Sequence, residues 1–395
     1  MAAPKRPDRF GPEELAALSA ALDKNRLWYW PEDQSVVTSA MAAYAKKFGA
    51  HRAVATSSGT ASLHVAVAAS QMPTGSEVIT TPITDIGTIN AILYQNLIPV
   101  FADVDPDTAM PRPEHIDAVI TERTKGVVAV HLAGRPTEID AIASLCAKKG
   151  IVLIEDCAQA LGAIYQGKSV GRFGRFGCFS LNDQKHITSG EGGLVLTGSD
   201  DDFYLCHNYA DKYYDRHGRN VRLHALAPNY RMSELDGAMA AAQLPKLDGI
   251  VQKRRELGDR LNEELARISG IIPQGKPADG ECSYFFFLLR IDPTVIKCTR
   301  DEFLTQLGDL GLEFSRAYVP RPIYRSPYFL NKSFFPGAWP AEVVSGRVYD
   351  YTKISLPGAE EAVATGISIP LNEGFENSDI EAYIAAIKLV AERNR

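Results

Sequence analysis

The stretch that decides the fold is Ile151-Val152-Leu153-Ile154-Glu155-Asp156-Cys157-Ala158-Gln159. A run of aliphatic residues closed by acids predicts a buried strand over Ile151–Glu155 that ends at a carboxylate. Such a carboxylate is costly to desolvate unless something cationic meets it. Asp156 is therefore read in three ways: as a site residue, as a helix cap, or as the partner of a structural arginine.

Working outward, strands and helices alternate. Arg52–Thr56, Glu77–Thr80, Leu97–Val104 and Gly126–Val130 read as strands before it, and Phe176–Leu181 and Gly193–Thr197 as strands after it. Thr60–Ser70, Thr84–Tyr94 and Glu138–Lys149 read as helices between them. This alternation predicts an α/β fold with a mainly parallel sheet covered by helices. Ligands of such sheets sit at the C-terminal strand ends. Beyond Pro245 the pattern changes. A long amphipathic helix, Leu247–Ile268, precedes a Gly- and Pro-rich stretch, Gly270–Gly280, then a strand-like Tyr284–Ile291. Helices Arg300–Leu310 and Ser378–Arg393 complete a smaller α+β unit. The division expected is 1–250 for a large domain and 251–395 for a small one.

Two further patterns belong with Asp156. Thr56-Ser57-Ser58-Gly59-Thr60-Ala61-Ser62 stands where a strand ends and a helix begins. Hydroxyls and backbone N–H groups there suit an anion, although Ser and Thr are also the usual helix caps. Phe179-Ser180-Leu181-Asn182-Asp183-Gln184-Lys185-His186-Ile187-Thr188-Ser189-Gly190-Glu191-Gly192-Gly193 places a lysine between a strand and a glycine-dense turn. A lysine held near a cofactor can have its pKa lowered and form a Schiff base. The order is an anion loop, an acidic strand end, then a lysine, and together they suit pyridoxal 5'-phosphate (PLP). Its ring nitrogen, when protonated, is the cation that Asp156 lacks, and a nearby carboxylate keeps it an electron sink.

With these stretches in view the sequence resembles the DegT/StrS-type sugar aminotransferases, which are PLP enzymes of fold type I. The strongest likeness runs from Ile154 through Thr197. Val130-His131-Leu132-Ala133-Gly134-Arg135-Pro136, Pro228-Asn229-Tyr230-Arg231-Met232-Ser233-Glu234-Leu235 and Pro99-Val100-Phe101-Ala102-Asp103-Val104-Asp105 extend it over nearly the whole chain. The resemblance implies that Lys185 carries the cofactor and shuttles protons, that Asp156 pairs with the ring nitrogen, and that Gln159 lies by the phenolic oxygen. It implies that Ser58, Gly59, Thr60 and Ser180 hold the phosphate. It also implies that Asn229 reaches the phosphate of a neighbouring subunit, in a homodimer with shared active sites. The activity implied is amino transfer from glutamate or glutamine to a keto sugar or related cyclic ketone. Two alternatives are a PLP-dependent keto-sugar dehydratase, whose relatives carry His in place of the lysine, and a PLP-binding protein without catalysis.

Three departures from the family surround the substrate region. Pro82-Ile83-Thr84-Asp85-Ile86-Gly87-Thr88 puts Asp85 where a ring usually stacks on PLP, and a carboxylate cannot stack. Asp85 is expected to contact substrate or order a water. Leu27-Trp28-Tyr29-Trp30-Pro31 replaces small residues with an aromatic cluster, which packing explains better than stacking on a sugar. Arg316-Ala317-Tyr318-Val319-Pro320-Arg321-Pro322 lacks the family's His. Its two arginines are read either as ligands of a phosphate or carboxylate or as surface charges.

Composition excludes other classes. A 45% hydrophobic, 23% charged chain with a net charge of −6 has no general nucleic-acid surface. Lys253-Arg254-Arg255 falls in a helical pattern and reads as a solvated face. The six cysteines show no CxxC spacing, so no metal site is expected. No apolar stretch is long enough to cross a membrane. Without a signal peptide the thiols are expected to stay reduced, in the cytoplasm. Gly171-Arg172-Phe173-Gly174-Arg175-Phe176-Gly177 does not match the nicotinamide fingerprint.

Overall fold

The computed structural model describes residues 7–28, 35–219 and 225–395. Its core is a seven-stranded sheet. The strands in it are β1 (Arg52–Thr56), β2 (Glu77–Thr80), β3 (Ile98–Phe101), β4 (Thr124–Val130) and β5 (Val152–Asp156). After a short hairpin of β6 (Ile164–Tyr165) and β7 (Lys168–Ser169), β8 (Phe176–Ser180) and β9 (Gly193–Thr197) complete it. The order is β1-β9-β8-β5-β4-β2-β3. β3, β2, β4, β5 and β8 run parallel, and β9 is antiparallel to both of its neighbours. The mainly parallel α/β sheet expected from the strand–helix alternation is what the chain forms.

Each strand sends alternate side chains to opposite faces. On β5, Ile154 packs with Val54, Val128, Cys178 and the helices Gly59–Ala69 and Asp200–Ala210. Leu153 points the other way, among Tyr44, Phe48, Ile142 and Leu247. Asp156 therefore belongs to the first face and Glu155 to the second. The helix Gly59–Ala69 is rich in Ala and Val and almost wholly buried, which lets it lie flat on the sheet.

The helix Leu247–Leu265 leaves this core at its first turns, with Leu247 and Val251 inside it. Leu257, Leu261 and Leu265 enter a second core with Phe287, Ile291, Ile369, Ile380 and Ile387. That core covers an antiparallel sheet built from β10 (Ile271–Pro273), β12 (Phe287–Ile291), β13 (Ser315–Arg316) and β14 (Gly366–Ile369), in the order β10-β12-β14-β13. The remaining strand, β11 (Gly280–Glu281), pairs with β6 of the first half. The aromatic segment around Ile323, Phe329, Trp339 and Tyr351 packs on Ile89, Leu93, Ile98 and Phe101.

One charge reading fails here. The solvated face expected of Lys253-Arg254-Arg255 fails at its middle residue: Arg254 is 2% exposed, while Lys253 and Arg255 beside it are half-buried. Arg254 lies on the same side of the helix as Val251, Leu257 and Leu261, so the helix buries it with its apolar stripe.

Candidate active site

The C-terminal ends of β1, β5 and β8 converge on one cleft with a cavity volume of 330 Å³. Ser58, Gly59, Thr60, Asp85, Asp156, Gln159, Ser180 and Lys185 all line it. Asn229 does not; it is exposed, and its side chain accepts a 3.4 Å hydrogen bond from the Arg231 N–H.

Ser58 caps the helix Gly59–Ala69, with its Oγ accepting from the Ala61 N–H at 3.1 Å. The remaining first-turn N–H groups need acceptors from outside the helix. Gly59 is required by close approach: a Cβ there would meet the Ser180 Cβ at 2.7 Å. Ser180 Oγ accepts from the Asn182 N–H at 3.2 Å. The capping and anion readings of this loop are compatible, since one hydroxyl serves the helix while the turn faces the cleft.

Asp156 is buried. Its Oδ2 accepts from Thr88 Oγ1 at 2.7 Å and its Oδ1 from the Ala158 N–H at 3.1 Å. Thr88 Oγ1 lies 2.8 Å from Thr84 Oγ1, so Thr84 donates to Thr88 and Thr88 to Asp156. Burial pushes the Asp156 pKa up, against the pull of Thr88, Ala158 and Lys185. No arginine is paired with it among the described residues. Two hydrogen bonds leave a buried carboxylate short of donor partners, with acceptor capacity turned toward the cleft.

Lys185 extends its amine into the same cleft, with Nζ 4.3 Å from the centre of the Phe285 ring. Burial lowers its pKa, while the charges of Asp156, Asp85 and Glu191 oppose the shift. The neighbouring His186 turns away, its ring 3.0 Å from the Ser283 carbonyl oxygen in the interior. Gln159 accepts from the Ala133 N–H at 2.9 Å and lines the cleft together with Tyr318. Burial pushes the Tyr318 phenol up, with the charges of Asp85 and Asp156 adding to it.

Asp85 caps the helix Ile86–Tyr94 by accepting from the Gly87 N–H at 2.8 Å. Its exposed carboxylate stands at the cleft with one oxygen committed to the helix. Trp28 is 46% exposed, so it is not core in this chain; Arg26 and Arg231 flank its ring. Tyr29, Trp30 and Pro31 lie outside the described residues. Arg316 is exposed and paired with Asp301 at 2.9 Å. It borders a 670 Å³ groove that shares Gln184, Phe285 and Tyr318 with the cleft. Arg321 is exposed and borders neither.

Sequence reading missed Thr88 as a partner of Asp156 and missed Phe285 and Tyr318 as walls of the site. Thr88 stood in a quoted stretch, four residues after Thr84 at the start of an expected helix, which is the signal that could have found it. A second cluster of polar side chains, His131, Glu155 and Cys157, has the compactness of a metal site. Glu155 is already satisfied, however. It accepts from the N–H groups of Gly171, Phe173 and Gly174 at 2.7, 2.6 and 2.7 Å, and from His131 Nε2 at 3.1 Å. His131 Nδ1 accepts from the Thr137 N–H, so Nε2 carries the proton. The Gly171–Gly174 loop is thus a cradle for the protein's own carboxylate.

Comparison with known proteins agrees with this geometry. The aminotransferase from Psychrobacter cryohalolentis superposes with a TM-score of 0.85 at 28% identity, over 99% of each chain. For 3-amino-5-hydroxybenzoic acid synthase the TM-score is 0.84 at 27% identity, over 99% of this chain and 100% of that one. DesI, solved in the presence of its TDP-sugar product, gives 0.82 at 27%, over 99% and 92%. The family model for the DegT/DnrJ/EryC1/StrS aminotransferases matches residues 9–388. With that match over nearly its whole length, the chain belongs to the DegT/DnrJ/EryC1/StrS aminotransferase family and is a PLP-dependent aminotransferase of fold type I.

Proposed function

We propose that the enzyme moves an amino group from glutamate or glutamine to a keto sugar or related cyclic ketone, with Lys185 as the cofactor-bearing lysine. The observation that carries this reading is the convergence of the Lys185 amine, the under-satisfied Asp156 carboxylate and the Ser58–Thr60 turn on one cleft. PLP supplies an electron sink through which an amino group leaves one carbon and is delivered to another. The chain supplies everything else. Asp156 stays ionised against a ring nitrogen, aided by the hydroxyl of Thr88. Ser58, Gly59, Thr60 and Ser180 receive the phosphate, and Gln159 borders the phenolic oxygen. The desolvated Lys185 amine gives up its proton more readily than an exposed lysine, which suits it to move protons at the reacting carbon. His186 lends nothing to the dehydratase alternative, since its ring is committed to Ser283.

Asn229, outside its own cleft, is proposed to serve the partner's site in a homodimer, and Trp28 to be covered there. Residues 1–250 and 251–395 are proposed as the two domains. Among the described residues no helix is long and apolar enough to cross a membrane, and all six cysteines are free, which supports a cytoplasmic enzyme. For the acceptor we favour a polar cyclic ketone with an acidic group held at Arg316, on the groove that continues the cleft. Arg316→Ala should raise the acceptor KM about tenfold, the value of one charge-assisted bond, and Arg321→Ala should leave it unchanged. The whole reading is tested by incubating the pyridoxamine form with a panel of keto sugars and following return of the aldehyde form's absorbance. Borohydride reduction and peptide mapping should place the cofactor on Lys185; a label on another lysine rejects the assignment.

A further inference from the structure

The Lys185 peptide is held by the two far ends of the chain. Arg9, ahead of the helix Pro12–Asp23, donates from Nη1 to the Lys185 carbonyl oxygen and from Nε to Glu373. The other Glu373 oxygen accepts from Arg254 Nε at 2.7 Å. Arg254 Nη1 in turn donates to the carbonyl oxygens of Tyr284, Phe285 and Leu371 at 2.9, 3.1 and 3.3 Å. Phe285 is the residue whose ring lies against the Lys185 amine. One carboxylate thus links the carbonyl of the lysine to the backbone that presents the ring beside its Nζ. Arg9 is itself anchored: its carbonyl oxygen accepts from Gln243 Nε2 at 2.9 Å and from Lys246 Nζ at 3.1 Å.

Stability alone does not account for this cluster. Arg9, Arg254 and Glu373 are all nearly removed from water. Buried ion networks of this kind are often matched or exceeded in stability by well-packed apolar side chains. Apolar side chains, however, cannot donate hydrogen bonds to chosen carbonyl oxygens. The planar guanidinium fork does so in fixed directions, and here the targets include the carbonyl oxygens of Lys185 and of Phe285.

We propose that Arg9, Glu373 and Arg254 form a positioning device that sets the place and reactivity of the Lys185 amine. The inference rests on the reading of Lys185 as the cofactor-bearing lysine. Its test is chosen so that the two fail separately. Arg9→Lys keeps the charge but cannot reach Glu373 and the Lys185 carbonyl together; Arg9→Met removes both bonds; Glu373→Gln keeps the shape and removes the hub charge. The first readout uses full-length protein freed of cofactor. An amine-modifying reagent is applied, and the rate at Lys185 is compared by peptide mass spectrometry with exposed Lys125 and Lys388. All three variants should change the Lys185 rate by about fivefold or more, with the reference lysines unchanged, as expected for loss of a charge-assisted bond. The second readout is the pH midpoint of the visible band after PLP loading, which should shift although Asp156, Asp85 and Glu191, the carboxylates facing the amine, are untouched. The kcat should fall about tenfold with donor KM within about twofold, the pattern of misplaced chemistry rather than lost binding. Should Glu373→Gln not fold, the two Arg9 variants decide. If they lower the thermal midpoint but leave the Lys185 rate and the spectral midpoint unchanged, the cluster is a structural clasp and the proposal is overturned. If borohydride labels another lysine in the unmodified protein, the functional reading falls, while the dependence of Lys185 reactivity on Arg9 is still judged by the cofactor-free measurement.

Discussion

Glu155 and Asp156 are neighbours at the end of one strand, both buried, both acidic, and they face opposite sides of the sheet. On the Glu155 side three backbone N–H groups and one imidazole saturate the carboxylate. On the Asp156 side one hydroxyl and one N–H do only part of that work. Both sides contain a glycine-rich or hydroxyl-rich loop, so neither burial nor loop composition separates them. The difference is acceptor capacity left open toward a cleft. A saturated buried acid is architecture; an under-satisfied one has room for a further donor.

The sharpest way to break this comparison is to neutralise each acid in turn. Asp156→Asn should retain PLP and lose turnover by about ten- to a thousandfold, the range by which an adjacent opposite charge shifts a protonation equilibrium. Near-normal steady-state rates in that variant would remove Asp156 from the chemistry. Glu155→Gln should do the reverse. Turning an amide toward N–H groups that now lack an acceptor should cost about 2–4 kcal/mol of stability, read by denaturant unfolding, while turnover per folded molecule stays close to normal. A large loss of activity with unchanged stability would show that the two sides are not distinct. Thr88→Val is a finer probe, since it removes one of the two bonds to Asp156 at nearly constant shape. It should lower kcat about tenfold without releasing the cofactor, and a rate equal to the parent's would mean the hydroxyl is incidental.

The smallest effect concerns pH in the cofactor-free protein. Burial raises the Asp156 pKa above its unfolded value. Between the two values the folded state holds a proton that the unfolded state has lost, so stability falls as pH rises through that window. Below the unfolded value both states are protonated and the cost vanishes. Cofactor-free Asp156→Asn should therefore melt above the parent protein at neutral pH and level with it in acid. A gap that is the same at both pH values would contradict an uncompensated charge.

Much of this was legible in the sequence, because the informative residues sit at element ends. Asp156 and Ser180 end strands, Ser58 and Lys185 follow them, and strand ends are fixed by local pattern. The residues that escaped are joined to the site by topology. Phe285 and Tyr318 reach the cleft from the second half, and no local spacing ties either of them to Lys185. Arg254 was misread because a charge run on a helix normally faces water, and only its companions Val251, Leu257 and Leu261 reveal the burial. Arg9 and Glu373 lie near opposite ends of the chain and meet only when both cores are complete. Asp85 was placed in the cleft, but its bond to Gly87 shows a capping duty that the resemblance to the family did not suggest.

The place of β1 in the sheet has a consequence for how the chain is made. It precedes the sheet's other strands in the sequence, yet it lies at the sheet edge against β9, paired from Arg52↔Thr197 to Thr56↔Gly193. All of residues 57–192 must leave the ribosome before that partner exists. At about 5–20 residues per second the delay is on the order of ten seconds. During that time β1 offers an unpaired edge, a template for joining another nascent chain. The loop after β1 is also unfinished until then, because Gly193 packs so closely that a Cβ there would meet Ser62 Oγ at 2.5 Å and the Ser58 carbonyl oxygen at 2.6 Å. The Ser58–Thr60 turn is therefore completed late. Translation that stalls before Gly193 would yield a chain with β1 unpaired and the Ser58–Thr60 turn unfinished.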